Sequence, residues 1–135
     1  MTTQQQHLVE LIFTVFVLNL FKHSNNPANA MNWLKQTCVI LDINQDLMQQ
    51  MVLSIMSRDL PLPVLVDELA HTLYNTKQGV HVIIKLAVCS RSQVYRRIKR
   101  FAAHPIRMQP VFDSDQAYYA AEFLSKFDKI GGVIP

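Results

Sequence analysis

Residues 8–21 read L-V-E-L-I-F-T-V-F-V-L-N-L-F, a run that is apolar on almost every face if it is helical. A helix of that kind has no side to show to water, so it must pack against more than one neighbour. With Glu10 and Asn19 inside it, the run is shorter and more polar than the roughly 20 apolar residues that cross a bilayer. It is therefore a buried helix or an oligomer interface, and in a small chain it favours a dimer core. The β-branched residues at its centre leave a strand reading open. A chain of 135 residues has room for one domain with one substantial core. Half of its residues are hydrophobic and only 3 are glycine, a composition that excludes disorder.

Downstream of this run, the chain reads as short helices between clear breaks. H-S-N-N-P at 23–27 is a loop, and a helix follows over about 28–41 with Met31, Leu34 and Cys38 on one face. Asn44 suits the N-cap of a helix reaching to about Arg58, with Leu47, Met51 and Ile55 alternating with Met48 and Val52. Pro61 and Pro63 break the chain. Residues 62–74 make an amphipathic helix with Leu65, Leu69 and Leu73 inward, and Asp67 and Glu68 outward near its start, where their charge suits the helix dipole. Asp113 or Ser114 caps a last helix to about Phe127, after which Gly131-Gly132 lead into a frayed apolar tail. The expectation is an all-α fold of about six short helices around one core. As a single domain over 1–135, it divides into a helical core and dimerisation part (1–78), a helix-turn-helix part (79–104) and a C-terminal helix with tail (105–135).

Charge is distributed unevenly along this frame. Lys85, Arg91, Arg96, Arg97, Lys99, Arg100 and Arg107 lie in one stretch without an acidic residue, and they are more than half of the chain's 13 Lys and Arg. Outside it, the 10 Asp and Glu outnumber the remaining bases. An acidic protein with one concentrated basic segment points to a polyanion-binding face. In V-H-V-I-I-K-L-A-V-C-S-R-S-Q-V-Y-R-R-I-K-R-F, at 80–101, an apolar segment meets Cys89-Ser90 and then a basic amphipathic one. Ser90 caps a helix over 90–103 on which Val94, Ile98 and Phe101 share the inner face. Ser92, Arg96 and Lys99 form the opposite stripe, with Gln93 and Arg100 beside it. An apolar back and a front of Arg, Gln and Ser is the construction a helix needs to reach base edges in the major groove.

The run S-R-S-x-V-Y-R-R, carried here by Ser90, Arg91, Ser92, Val94, Tyr95, Arg96 and Arg97, resembles the start of the second helix in the helix-turn-helix of bacterial and phage DNA-binding regulators. The resemblance covers residues 80–103 and implies that Arg96, with Ser92 and Gln93, reads base edges, while Arg91, Arg97, Lys99 and Arg100 hold phosphates. Ser90 opens the helix, and Tyr95 reaches a phosphate or the neighbouring helix. The family usually places glycine at the turn and a small residue in the first helix, where this chain has Val88 and Ile84. A β-branched residue is disfavoured at positive φ. Either the turn here has another geometry or the two helices are not joined in the usual way.

L-D-I-N-Q-D-L-M at 41–48, L-P-L-P-V-L-V-D-E-L-A at 60–70 and F-D-S-D-Q at 112–116 occur in an order similar to FlhD, the smaller subunit of the flagellar master activator. That resemblance implies a helical homodimer and an activator that binds DNA together with a second regulatory subunit. Relative to that family, the basic helix lies in an insertion.

Catalytic chemistry has little support. His7, His23, His71, His81 and His104 are scattered, with no i, i+4 pair beside a third ligand. Cys38 and Cys89 have neither metal nor disulfide-framework spacing and read as small core residues in a reducing cytoplasm. The polar start lacks the basic region of a secretory signal. Phosphate-binding loops and nucleophile elbows are absent, and Trp33 reads as core or dimer contact. We therefore expect no enzyme activity, cofactor, metal or membrane partner. Three classes remain: a homodimeric regulator of double-stranded DNA, a protein-interaction adaptor or inhibitor that binds an acidic partner through the basic helix, and an RNA-binding protein. Few exposed aromatics accompany the basic residues, which argues against the third.

Overall fold

A computed structural model describes residues 1–130 as seven α-helices, with no strand among them. They are α1 (Thr3–His23), α2 (Pro27–Leu41), α3 (Gln45–Met56), α4 (Leu62–Asn75), α5 (Val80–Ala87), α6 (Arg91–Ala103) and α7 (Ser114–Lys129). The all-α class holds, with one helix more than the expected six or so. The tail expected at Gly131-Gly132 lies outside the described residues.

The apolar run of residues 8–21 is helical, which removes the strand reading. Its helix starts earlier than the apolar pattern because Thr2 and Gln5 close the first turn reciprocally. The Gln5 amide donates to Thr2 Oγ1 at 3.1 Å, and the Thr2 amide donates to Gln5 Oε1 at 2.8 Å, a T-x-x-Q capping box. Leu11, Phe13, Val15, Val17 and Leu20 are buried, as are the polar Glu10, Thr14 and Asn19. An apolar side chain buried in this way contributes about 1.5–3 kcal/mol.

The chain packs as two compact units. The first takes Met1–Phe16 and Asp59–Pro110, and so includes the start of α1 with α4, α5 and α6. Within it α4 packs along α6, and α5 packs against both. The second unit takes Val17–Arg58 and the chain from Val111 onward, and in it α2 packs against α3 and α7. Its helices begin where the caps in the sequence say. Asn26 Oδ1 accepts from the Asn29 amide at 2.9 Å, with Pro27 at the first helical position. Asn44 Oδ1 accepts from Leu47 at 3.0 Å, and Asp113 Oδ1 from Gln116 at 2.8 Å. Leu34, Cys38, Met48, Met51, Val52, Ile55, Ala120 and Phe123 fill its interior. Trp33 stands edge-on to Phe127 at 5.7 Å between ring centroids, and Phe127 stacks on Phe123 at 5.7 Å.

Candidate nucleic-acid interface

The eight residues of α5 are helical but too short to persist alone, and they depend on Ile83 and Ala87, both buried. Val88 ends the helix at φ 52°, ψ 52°, in the left-handed region, with its amide donating to Ile84 O. The turn therefore has the backbone that glycine usually supplies, and Val88 adopts it in spite of its branched Cβ. The turn at Val88 is thus not of another backbone geometry, and it is flanked by buried residues on both sides. Ala87 and Cys89 are buried while Val88 itself is exposed. Among the described residues three non-glycine residues have positive φ, Asp42, Lys77 and Val88, and Val88 alone of these is β-branched. In an L-residue the left-handed conformation costs about 1–2 kcal/mol.

Ser90 then returns to extended backbone at φ −76°, ψ 158°, and α6 begins. Its amide donates to Gln93 Oε1 at 3.2 Å, and its hydroxyl lies 3.0 Å from that of Ser92. Val94 and Phe101 are buried and Ile98 is half-buried, the inner face expected from the spacing. Phe101 touches the His71 ring at 4.6 Å between centroids, and the Arg107 guanidinium carbon lies 5.2 Å from its centre.

On the outer face Arg91, Ser92, Arg96 and Lys99 are exposed. Arg91, Arg96 and Lys99 make no ion pair among the described residues. Tyr95 is also exposed, edge-on to Tyr74 of α4 at 6.3 Å, so it meets the neighbouring helix. The remaining sequence-selected residues are placed differently. Gln93 is half-buried and its side-chain carbonyl is committed to the Ser90 amide, so it belongs to the helix cap. Arg97 is turned inward with its side chain 15% exposed, its Nη1 donating to Asp67 Oδ1 at 2.8 Å and to Pro63 O at 3.2 Å. Arg100 is half in solvent, at 54%, and its Nε meets Asp67 Oδ2 at 2.8 Å.

Asp67 and Glu68 correct the expectation that they face outward at a helix start. Both are buried, and the first turn of α4 holds no acidic residue. α4 is covered on more than one side, so these positions would be intolerable for unpaired charge. Asp67 is matched by two arginines of α6. Glu68, at 0% exposure, accepts from the Met108 amide at 2.7 Å and lies 2.8 Å from His7 Nε2. The hydrogen bond to Glu68 raises the His7 pKa, with Glu10 adding to the rise, and burial and Arg107 opposing it. One signal in the sequence bears on this pairing: an adjacent Asp-Glu in an otherwise apolar helix, in a chain with a surplus of arginine at 96–100.

Among the described residues no helix is long and apolar enough to cross a membrane, and no group of three or more His, Cys, Asp or Glu is placed to hold a metal. No protein-family model, no curated protein and no solved structure matches the chain.

Proposed function

We propose that the protein is a cytoplasmic, non-enzymatic regulator of transcription that binds double-stranded DNA sequence-specifically as a homodimer, with α6 entering the major groove. The observation that carries this reading is the outer face of α6. Arg91, Arg96 and Lys99 stand exposed and without an ion-pair partner among the described residues, while an apolar back and a three-residue turn hold the helix in place. Arginine at the centre of such a face presents a planar fork that matches the O6 and N7 acceptors of guanine. Arg96 and Ser92 are the base readers in this arrangement, and Arg91 and Lys99 the phosphate contacts. α1 buries most of its apolar residues within its own chain, so it is not the dimer core. Val39 and Ile40 of α2 and Leu53 of α3 are exposed and are the face we assign to the partner copy.

Selection of bound duplexes from a random pool, repeated at two salt concentrations, tests the reading. A palindromic motif with half-sites about one helical turn apart is the expected result. Arg96→Ala should then weaken binding by on the order of 1–3 kcal/mol and relax one base position, and Arg96→Glu should abolish it with the dimer intact. Binding that collapses as salt rises, with no motif enriched, would mean phosphate contact alone and a second subunit supplying specificity. No binding even at low salt would sink the DNA reading and leave the basic helix as a surface for an acidic protein.

A further inference from the structure

Resting on that reading, we propose that Asp67 is a positioning residue: it presets Arg100 as a two-pronged clamp for one backbone phosphate, with Arg97 as the strut beside it. An acidic residue behind a DNA-binding face would ordinarily weaken it by neutralising cations. Here the two oxygens of one carboxylate do different things. Oδ1 takes Arg97 Nη1, which also donates to Pro63 O, and that arginine is turned inward with 15% of its side chain exposed. Oδ2 lies 2.8 Å from Arg100 Nε, while 54% of the Arg100 side chain remains in solvent. Neither terminal nitrogen of Arg100 donates a hydrogen bond to another of the described residues.

A guanidinium is planar, so fixing Nε on a carboxylate leaves the edge formed by Nη1 and Nη2 as its free donor pair. That edge matches two oxygens of a phosphodiester. A free surface arginine loses rotamer entropy when it is fixed. Asp67 has already removed part of that freedom, and its charge is largely offset by Arg97. The carboxylate is itself held, with its side chain only 10% exposed, so it cannot follow a displaced arginine. Arg97 is thereby removed from the direct phosphate contacts, and Arg100 becomes the contact on its flank of α6.

The experiment is duplex binding as a function of salt, using the full chain and the duplex selected by the wild type, with thermal melts of each variant. Arg100→Ala should weaken binding on the order of tenfold and lower the slope of log affinity against log salt by about 1, the loss of one phosphate. Asp67→Asn removes a negative charge, so simple charge counting says it should bind more tightly. Positioning says it should bind on the order of tenfold more weakly, and no further loss should follow when Arg100→Ala is added. Arg100→Lys keeps the charge and leaves the Arg97, Asp67 and Pro63 contacts intact, so it stays readable even if Asp67→Asn does not fold. An ammonium offers its donors from one atom and has no planar edge to take two phosphate oxygens while held on a carboxylate, so the lysine variant should bind more weakly than the wild type. Wild-type affinity in Arg100→Lys, or equal or tighter binding by a folded Asp67→Asn, overturns the proposal and leaves the DNA reading standing. Failure of the wild type to bind any duplex overturns both.

Discussion

The first unit packs Asp67, Glu68, His7 and most of Arg97 inside and lets them hold one another, whereas the second fills its interior with Cys38, Tyr119, Phe123 and neighbouring apolar side chains. In the second unit the Tyr119 hydroxyl donates to Asn44 O at 2.7 Å, and Lys126 donates to Leu41 O at 3.1 Å and pairs with Glu122 at the surface at 3.0 Å. Both units are small helical packings, and in the first a buried carboxylate is matched by two arginines. The helix that bears the exposed cations is thus tied to its support by ion pairs, and those pairs decide which arginines face outward. The largest expected effect tests this directly. Arg97→Met preserves the apolar stem but strips a buried carboxylate of its better-covered partner, and breaking a buried pair from one side costs about 3 kcal/mol. Urea unfolding would measure it. A neutral or stabilised Arg97→Met would show that apolar packing of α6, and not the pair, holds this unit.

The second effect is a slope in pH. His7 gains Glu68 on folding and its pKa is raised, so its stabilisation is fully present below the unfolded-state value of about 6.5. It is lost as pH rises through the higher folded value. In the second unit, burial pushes the Tyr119 phenol up and the Cys38 thiol up, so neither changes charge near neutrality. Stability measured from pH 5.5 upward, roughly a unit either side of the histidine's ordinary range, should therefore fall in the wild type as His7 deprotonates. His7→Gln should flatten that fall and Tyr119→Phe should leave it intact. An unchanged slope in His7→Gln would place the titrating group elsewhere.

How far the sequence could be read also differs between the two units. In the second, local chemistry sufficed: Asn44 and Asp113 cap α3 and α7 as their side chains suggest, and Leu34, Cys38, Met48, Met51 and Ile55 are buried as their spacing says. In the first, the inner and outer faces of α6 were equally legible, since Val94 and Phe101 are buried and Ser92, Arg96 and Lys99 exposed. What periodicity could not supply was the long-range pairing. Asp67 lies thirty residues from Arg97, and a wheel that places Leu65, Leu69 and Leu73 inward turns Asp67 outward unless α6 is known to lie there. The consequence fell on the candidate site, where Arg97 and Gln93, expected as DNA contacts, are engaged by Asp67 and by the Ser90 amide. Val88 escaped for a related reason. Local preference argues against its left-handed backbone, and tertiary packing of Ala87 and Cys89 overrides that preference.

That override supplies a third, smaller effect and a matched control. Val88→Gly releases the strain of a branched side chain in the left-handed region, offset in part by the greater freedom glycine gives the unfolded chain. Since Val88 is exposed, little packing is lost, and the variant should be more stable by about 0.5–1 kcal/mol. Asp42, which ends α2 in the second unit at φ 56°, is a residue type that visits this region more readily. Asp42→Gly should therefore gain less. Equal gains at the two positions would mean that Val88 carries no special strain.

The smallest effect expected is in the second unit, where a buried hydrogen bond can be removed without stranding its acceptor. Tyr119→Phe deletes the hydroxyl that donates to Asn44 O and lies 3.6 Å from Cys38 Sγ. Asn44 O keeps a second donor, because the Met48 amide reaches it at 3.3 Å in the first turn of α3. A carbonyl that retains one partner escapes the desolvation penalty of an orphaned group, so only the net worth of one neutral hydrogen bond is lost. That is at the low end of its usual range, about 0.5 kcal/mol. Nor does the ring leave a cavity, since phenylalanine keeps its volume. Set against about 3 kcal/mol for Arg97→Met, this small loss would separate the units by mechanism: removing one group from a shared ion-pair network strands its partners, and removing one from a doubly served carbonyl does not. A loss near 3 kcal/mol in Tyr119→Phe would erase the contrast and would mean that the second unit is held by its polar contacts as tightly as the first.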